Sequence, residues 1–87
     1  MKYEVEVSKA AEDFLNTVSK ADAIRIGKKI DKLEENPRPN GVEKLSGEEN
    51  IYRVRSGDYR IIYTIDDKIL HILVFKVGHR KEVYRKL

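Results

Sequence analysis

Apolar side chains recur at every third or fourth position from Ala11 to Leu33 and at every second position from Ile51 onward. A period near 3.6 marks a helix with one buried face and a period of two marks a strand, so the chain must hold both kinds of element in succession. Between the two stretches lies Asn36-Pro37-Arg38-Pro39-Asn40-Gly41, the one linker-like segment, with Gly47 shortly after it. At 87 residues the expectation is a single domain, residues 1–87. A domain of that size hides only ~60–65% of its unfolded surface and has no room for a second core.

Tyr3, Val5 and Val7 alternate with Glu4 and Glu6, which predicts a short strand with one wet face. Ser8 then reads as a helix N-cap, followed by Ala11, Phe14, Leu15 and Val18 at helical spacing. Ser19 and Asp22 form a capping-box pattern, with Asp in place of Glu, that opens a second helix. Its buried stripe is Ala23, Ile26, Ile30 and Leu33; Arg25, Lys28, Lys29, Lys32 and Glu35 read as a solvated face. Pro37 stops this helix, because the residue before a proline avoids helical angles. The short link near Ser19 makes the two helices an antiparallel hairpin.

Beyond Ile51 three strands are predicted: Ile51 to Arg55, Tyr59 to Ile65 and Ile69 to Val77. Gly57-Asp58 and Asp66-Asp67 supply the turns, and Gly78 is expected to end the last strand. That strand is apolar on both faces and belongs inside the sheet. The expected architecture is α+β: a two-helix antiparallel hairpin on a small, mainly antiparallel twisted sheet, in the order β-α-α-β-β-β plus a short C-terminal segment.

Composition narrows the chemistry. There are no cysteines, which removes disulfides, thiolate metal sites and a cysteine nucleophile. Two histidines without ligand spacing offer no metal site, and neither a metal nor a cofactor is expected. No apolar run approaches the ~20 residues that span a bilayer, and the first residues lack a signal-peptide pattern. A cytoplasmic location is the expectation. The net charge of +3 lies entirely in residues 43–87, where 10 basic side chains meet 7 acidic ones. The final stretch alone holds Lys76, Arg80, Lys81, Arg85 and Lys86 against Glu82.

Register decides what the arginines do. A two-residue turn at Gly57-Asp58 pairs Arg55 with Arg60, Val54 with Ile61 and Arg53 with Ile62. Tyr52, Val54, Ile61 and Tyr63 then pack under the helices, while Arg53, Arg55 and Arg60 share the other face. Like charges directly opposite destabilise a sheet, and a one-residue slip would bury arginine under the helices at greater cost. Either the guanidiniums point into solvent, paired with Glu48, Glu49 or Asp58, or the repulsion is accepted to hold a phosphate-binding surface. His79 and Arg80 follow on the loop expected after Gly78. His79 is the side chain there that exchanges a proton near neutrality; His71 reads as packed within its strand.

Arginines, a histidine and a tyrosine, without a carboxylate dyad, a Gly-rich phosphate loop or a serine triad, suit metal-free RNA cleavage. The substrate carries its own nucleophile, the 2′-hydroxyl. The protein must take its proton, stabilise the added charge on phosphorus and protonate the leaving 5′-oxygen. Guanidiniums supply the electrostatic contribution, an imidazole the proton transfer, and an aromatic ring a base-stacking platform.

Two segments, Leu45 to Tyr63 (LSGEENIYRVRSGDYRIIY) and Val77 to Tyr84 (VGHRKEVY), resemble the RelE family of the RelE/ParE superfamily, type II toxin-antitoxin toxins. The likeness extends over nearly the whole chain. It implies a RelE-like fold and an endoribonuclease that cuts mRNA in the ribosomal A site. It also implies a RelB-like antitoxin partner, and contact with operator DNA only through the toxin–antitoxin complex; no membrane partner is implied. Carried over by position, Arg60 and Arg80 stabilise the phosphate, Tyr84 orients the nucleophile or stacks on a base, and Arg53 and Arg55 bind phosphate. Lys81 and Arg85 are assigned to substrate binding with them.

Other members carry lysine where this chain has Arg53 and Arg55. Arginine does not lose its proton in proteins, so neither residue is a base here. His79 is the expected proton carrier, with Tyr84 as the fallback. Two other readings stay open: a ParE-type gyrase inhibitor and an RNA- or ribosome-binding module without chemistry. The exposed basic helix face and the cationic sheet face are both candidate surfaces for an acidic or amphipathic segment of the antitoxin.

Overall fold

The computed structural model describes residues 2–45 and 50–79. The elements are β1 (Glu4–Val7), α1 (Lys9–Leu15), α2 (Lys20–Lys32), β2 (Glu43–Lys44), β3 (Ile51–Ser56), β4 (Tyr59–Asp66) and β5 (His71–His79). They form one sheet in the order β1-β5-β4-β3-β2, with the two helices on one face. This is the expected α+β arrangement, and β5 lies inside the sheet, between β1 and β4. β1 runs parallel to β5, whereas the β2–β3, β3–β4 and β4–β5 pairs are antiparallel.

Both helices start where a serine can cap them. Ser8 Oγ accepts from Ala11 N and Ser19 Oγ from Asp22 N, each at 3.2 Å, so each cap satisfies an amide that has no partner within its helix. α1 is shorter than predicted. It ends at Leu15, and Val18 falls in the link, where Thr17 folds back to donate to the Phe14 carbonyl through both its amide and its hydroxyl. α2 buries Ile26 and Ile30, and Leu33 closes it from the C-cap. These meet Val54, Ile61, Tyr63, Ile65, Ile72 and Val74 of the sheet.

The β3–β4 register is the one predicted: Ser56 opposite Tyr59, Arg55 opposite Arg60, Val54 opposite Ile61 and Arg53 opposite Ile62. Gly57 turns the hairpin with φ +61°, a conformation that costs glycine nothing and a β-carbon considerably more. β2 was not foreseen. Its two exposed residues, Glu43 and Lys44, carry no apolar pattern to read.

β5 departs from prediction at both ends. It starts at His71 rather than Ile69, because the turn after Asp66 extends to Leu70, which adopts φ +52°. It also runs through Gly78 to His79, so Gly78 does not end the strand; it stands opposite Arg60. His71 is largely covered, its side chain 24% exposed, and it also has a polar partner. It opens the strand with its Nε2 3.0 Å from Glu6 Oε1 of β1.

One irregularity matters more than these boundaries. The β4–β5 register shifts between Ile62 and Tyr63: Ile62 faces Lys76 while Tyr63 faces Val74, which leaves Phe75 as an extra residue in β5. A bulge of this kind inverts the alternation beyond it. Ile72 and Val74 lie under the helices before it, and Val77 lies there after it. Ser8 helps hold the bulge. Its amide donates to the Val74 carbonyl at 2.9 Å and its hydroxyl to the Phe75 carbonyl at 3.2 Å.

Candidate functional site

Arg53, Arg55 and Arg60 occupy the sheet face away from the helices, as the register requires. Their guanidiniums separate. Arg53 Nη2 donates to Glu43 Oε2 at 3.1 Å, toward the β2 edge. Arg55 Nε donates to the Gly57 carbonyl at 3.1 Å, toward the hairpin turn. Arg60 Nη1 lies 3.4 Å from the Tyr59 carbonyl, beside the position where Gly78 has no side chain. Divergence relieves the repulsion that strict pairing would impose.

The arginine face is drier than alternation predicts. Arg60 is 8% exposed, the Arg53 side chain 11%, and Ile62 is fully buried although it lies outside the helix-side core. Solvent-facing arginines, one of the two readings open from the sequence, are therefore not what the structure holds at positions 53 and 60. A guanidinium withdrawn from water acts more strongly on a nearby anion than an exposed one, since less solvent screens it.

His79 is on the other face. It pairs with Tyr59, and directly paired residues of an antiparallel ladder point the same way. Tyr59 points to the helices: its ring packs edge-on against Phe14 and its hydroxyl donates to Asp22 Oδ2 at 3.1 Å. The His79 and Tyr59 rings meet edge-to-face, with centroids 6.0 Å apart. Burial, then the Asp22 carboxylate, holds the Tyr59 phenol above its usual pKa. The expected grouping of His79 with the three strand arginines is thus corrected. Regular alternation from Ile72 and Val74 would have put His79 with them, and the Phe75 bulge reverses it. Arg80, Lys81, Tyr84 and Arg85 lie outside the described residues.

Two polar clusters escaped sequence reading. In the first, Arg38 from the Pro-rich segment clasps Asp67 with Nη2–Oδ2 at 2.9 Å and Nη1–Oδ1 at 3.4 Å. Tyr3 donates to the same carboxylate at 2.6 Å, and the Arg38 guanidinium lies 5.2 Å from the centre of the Tyr52 ring. Hydrogen bonds from Arg38 and then Tyr3 hold the Asp67 carboxyl below its ordinary pKa, and the bond to Asp67 holds the Tyr3 phenol above its own. Alongside, the buried Tyr63 hydroxyl donates to the Pro37 carbonyl at 2.8 Å, and burial pushes that phenol far upward.

In the second cluster, the helix face read as solvated, and as one candidate surface for the antitoxin, borders an open groove of about 360 Å³. Arg25, Lys28, Lys29 and Lys32 of α2 line one side, and Arg55, Ser56 and Gly57 of the hairpin the other. Among the described residues no three histidine, aspartate or glutamate side chains are grouped to hold a metal ion, and no helix is long and apolar enough to cross a membrane.

The profile of the ParE toxin of type II toxin-antitoxin systems (parDE) matches residues 5–84. RelE1 of Methanocaldococcus jannaschii is 30% identical over 90 residues, covering 98% of each chain. The chain belongs to the RelE family of the RelE/ParE toxins. Among solved RelE structures, that of the archaeal RelE–RelB complex from Pyrococcus horikoshii OT3 superposes with a TM-score of 0.82 at 35% identity, covering 92% of this chain and 97% of that one. An E. coli RelE double mutant in the free state gives 0.78 at 27% identity, covering 98% and 93%. The RelE fold accounts for the helical hairpin and the five-stranded sheet. The arginines of β3 and β4 are features of this chain's own geometry.

Proposed function

We propose that this RelE-family toxin is an endoribonuclease that cuts mRNA on the ribosome, without a metal, and so blocks translation. The observation that carries the reading is Arg60: a cation 8% exposed, directly opposite Arg55 and with Arg53 on the same face. Three cationic positions on one sheet face, two of them shielded from water, fit a phosphodiester whose charge rises in the transition state.

In the proposed reaction the 2′-oxygen attacks phosphorus and the bond from phosphorus to the 5′-oxygen breaks. The products are a 2′,3′-cyclic phosphate and a 5′-hydroxyl, the proton given up by the 2′-hydroxyl being balanced by one taken up at the departing 5′-oxygen. Arg60 and Arg53, with Arg80 by resemblance, stabilise the non-bridging oxygens, and Arg55, Lys81 and Arg85 hold flanking phosphates. The proton leaving the 2′-hydroxyl needs a base that is not arginine. His79 packs against Tyr59 on the helix side, which favours Tyr84 for that role; guanidiniums around a phenol lower its pKa.

Primer extension on mRNA after expression tests the reading. Arg60→Gln and Tyr84→Phe are each expected to reduce cleavage by ~100-fold or more, and His79→Ala by less than ~10-fold with a pH–rate profile of unchanged shape. Full cleavage by Arg60→Gln overturns the proposal. A His79→Ala variant as damaged as Tyr84→Phe returns proton transfer to the imidazole.

Several solved relatives are RelE–RelB complexes, and by that likeness a RelB-like antitoxin is the proposed partner, with operator DNA reached only through the complex. The match to the ParE toxin profile favours one second reading, a gyrase inhibitor. Supercoiling inhibition by purified toxin with mRNA left intact selects it.

A further inference from the structure

We infer that the groove between α2 and the β3–β4 turn is a second, non-catalytic docking surface for the phosphate backbone of structured RNA. Arg25, Lys28, Lys29 and Lys32 follow one another at helical intervals of three, one and three residues, so their side chains form one stripe along α2. At 1.5 Å of rise per residue the stripe is ~10 Å long. Arg55 faces it from the hairpin. Arg25 is tied to Asp22 at 3.5 Å, whereas Lys28, Lys29 and Lys32 form no ion pair among the described residues.

The lining chemistry selects the occupant. Every lining residue is cationic, a serine or a glycine. A protein segment that binds tightly needs an apolar or aromatic anchor in a desolvated pocket, and this groove offers none. A groove lined by cations on both sides suits an extended polyanion. Hydrated lysines meeting a row of phosphates bind without reading sequence, chiefly by releasing counterions. Gly57 leaves the backbone accessible at the groove's end; a β-carbon there would stand 3.6 Å from Arg25 Nη1.

The choice of RNA over DNA rests on the proposed function. The groove and the shielded arginines Arg53 and Arg60 belong to opposite sides of the sheet, so the groove would hold a stretch of RNA other than the one being cut. Arg55, at the end of the hairpin, is the residue common to the two surfaces.

The test reads binding alone. Fluorescence anisotropy of the full-length toxin with a 2′-O-methyl RNA hairpin, which cannot be cleaved through its 2′-oxygen, is followed across roughly 50–200 mM salt. The triple variant Lys28→Gln, Lys29→Gln, Lys32→Gln is expected to bind at least ~10-fold more weakly and to lose ~2–3 from the slope of log affinity against log salt, since each phosphate contact contributes ~0.7–0.9. Lys68→Gln, in the turn between β4 and β5 and outside the groove lining, is expected to leave affinity and slope at the parental values. Parental affinity and slope in the triple variant overturn the inference. So does tighter binding of a DNA hairpin of the same sequence, or a triple variant that keeps the RNA hairpin but loses an acidic antitoxin peptide. If cleavage assays fail while the triple variant still loses hairpin binding, the nuclease reading falls and the docking surface remains.

Discussion

Arg55 and Arg60 are direct partners across the β3–β4 ladder, yet one guanidinium turns to the Gly57 carbonyl at the hairpin end and the other is withdrawn beside Gly78. The backbone places two like charges together and the side chains part. Removing the exposed member should therefore help the fold. Arg55→Gln is expected to raise stability by ~0.2–1 kcal/mol, the range for relieving a like-charged cross-strand pair, while weakening RNA binding. Thermal unfolding checks this; a lower melting temperature in Arg55→Gln would mean that its bond to Gly57 outweighs the repulsion.

Ser8, directly after β1, joins two further elements: it caps α1, and it donates from its amide and its hydroxyl to two successive carbonyls at the β5 bulge. Ser19 caps α2, and among the described residues its hydroxyl makes no second hydrogen bond. Ser8→Ala is expected to cost ~2 kcal/mol, one part for the cap and one for the lost bond to Phe75, against ~1 kcal/mol for Ser19→Ala. Urea denaturation distinguishes them, and equal losses would remove the bulge contact from the energetics.

Tyr63 is buried completely and its hydroxyl satisfies the Pro37 carbonyl. Tyr63→Phe keeps the ring and strands that acceptor, at an expected cost of ~1–3 kcal/mol. An unchanged denaturation midpoint would show that the Pro-rich segment relaxes to solvate Pro37.

The Arg38–Asp67–Tyr3 cluster gives the protein an acid limb. A carboxyl whose pKa is depressed in the folded state contributes stability above its unfolded pKa, near ~4, and loses it as pH falls through the lower folded value. Asp67→Asn lacks that contribution. The gap in melting temperature between parent and variant is expected to be constant above about pH 5 and to narrow below about pH 4. A gap that stays constant down to pH 2 would show that Asp67 is held no better folded than unfolded.

The hairpin register was legible because burying an arginine under the helices is so costly that only one pairing survives; each predicted β3–β4 pair is present. The caps were legible because serine three residues ahead of a free amide has one obvious use. The rest failed for local reasons. β2 is two charged residues held by pairing rather than pattern, and α1 stops early because Thr17 satisfies the Phe14 carbonyl. The Arg38–Asp67 clasp joins residues 29 apart in sequence across two turns, where periodicity says nothing. Burial of Arg60 and Ile62 on the supposedly wet face was hidden too, since alternation assigns faces but not what shields them.

Phe75 is one residue too many for its ladder, and everything after it inherits the consequence. Were the bulge flattened so that Phe75 paired with Ile62, Lys76 would be driven toward the apolar layer and the imidazole of His79 would exchange sides with Gly78. The same string of letters with and without the bulge would thus present opposite distributions of chemistry. Comparing the family through residues 74–77 calls for superposed backbones, because a gap shifted by one place in a sequence alignment exchanges inside for outside.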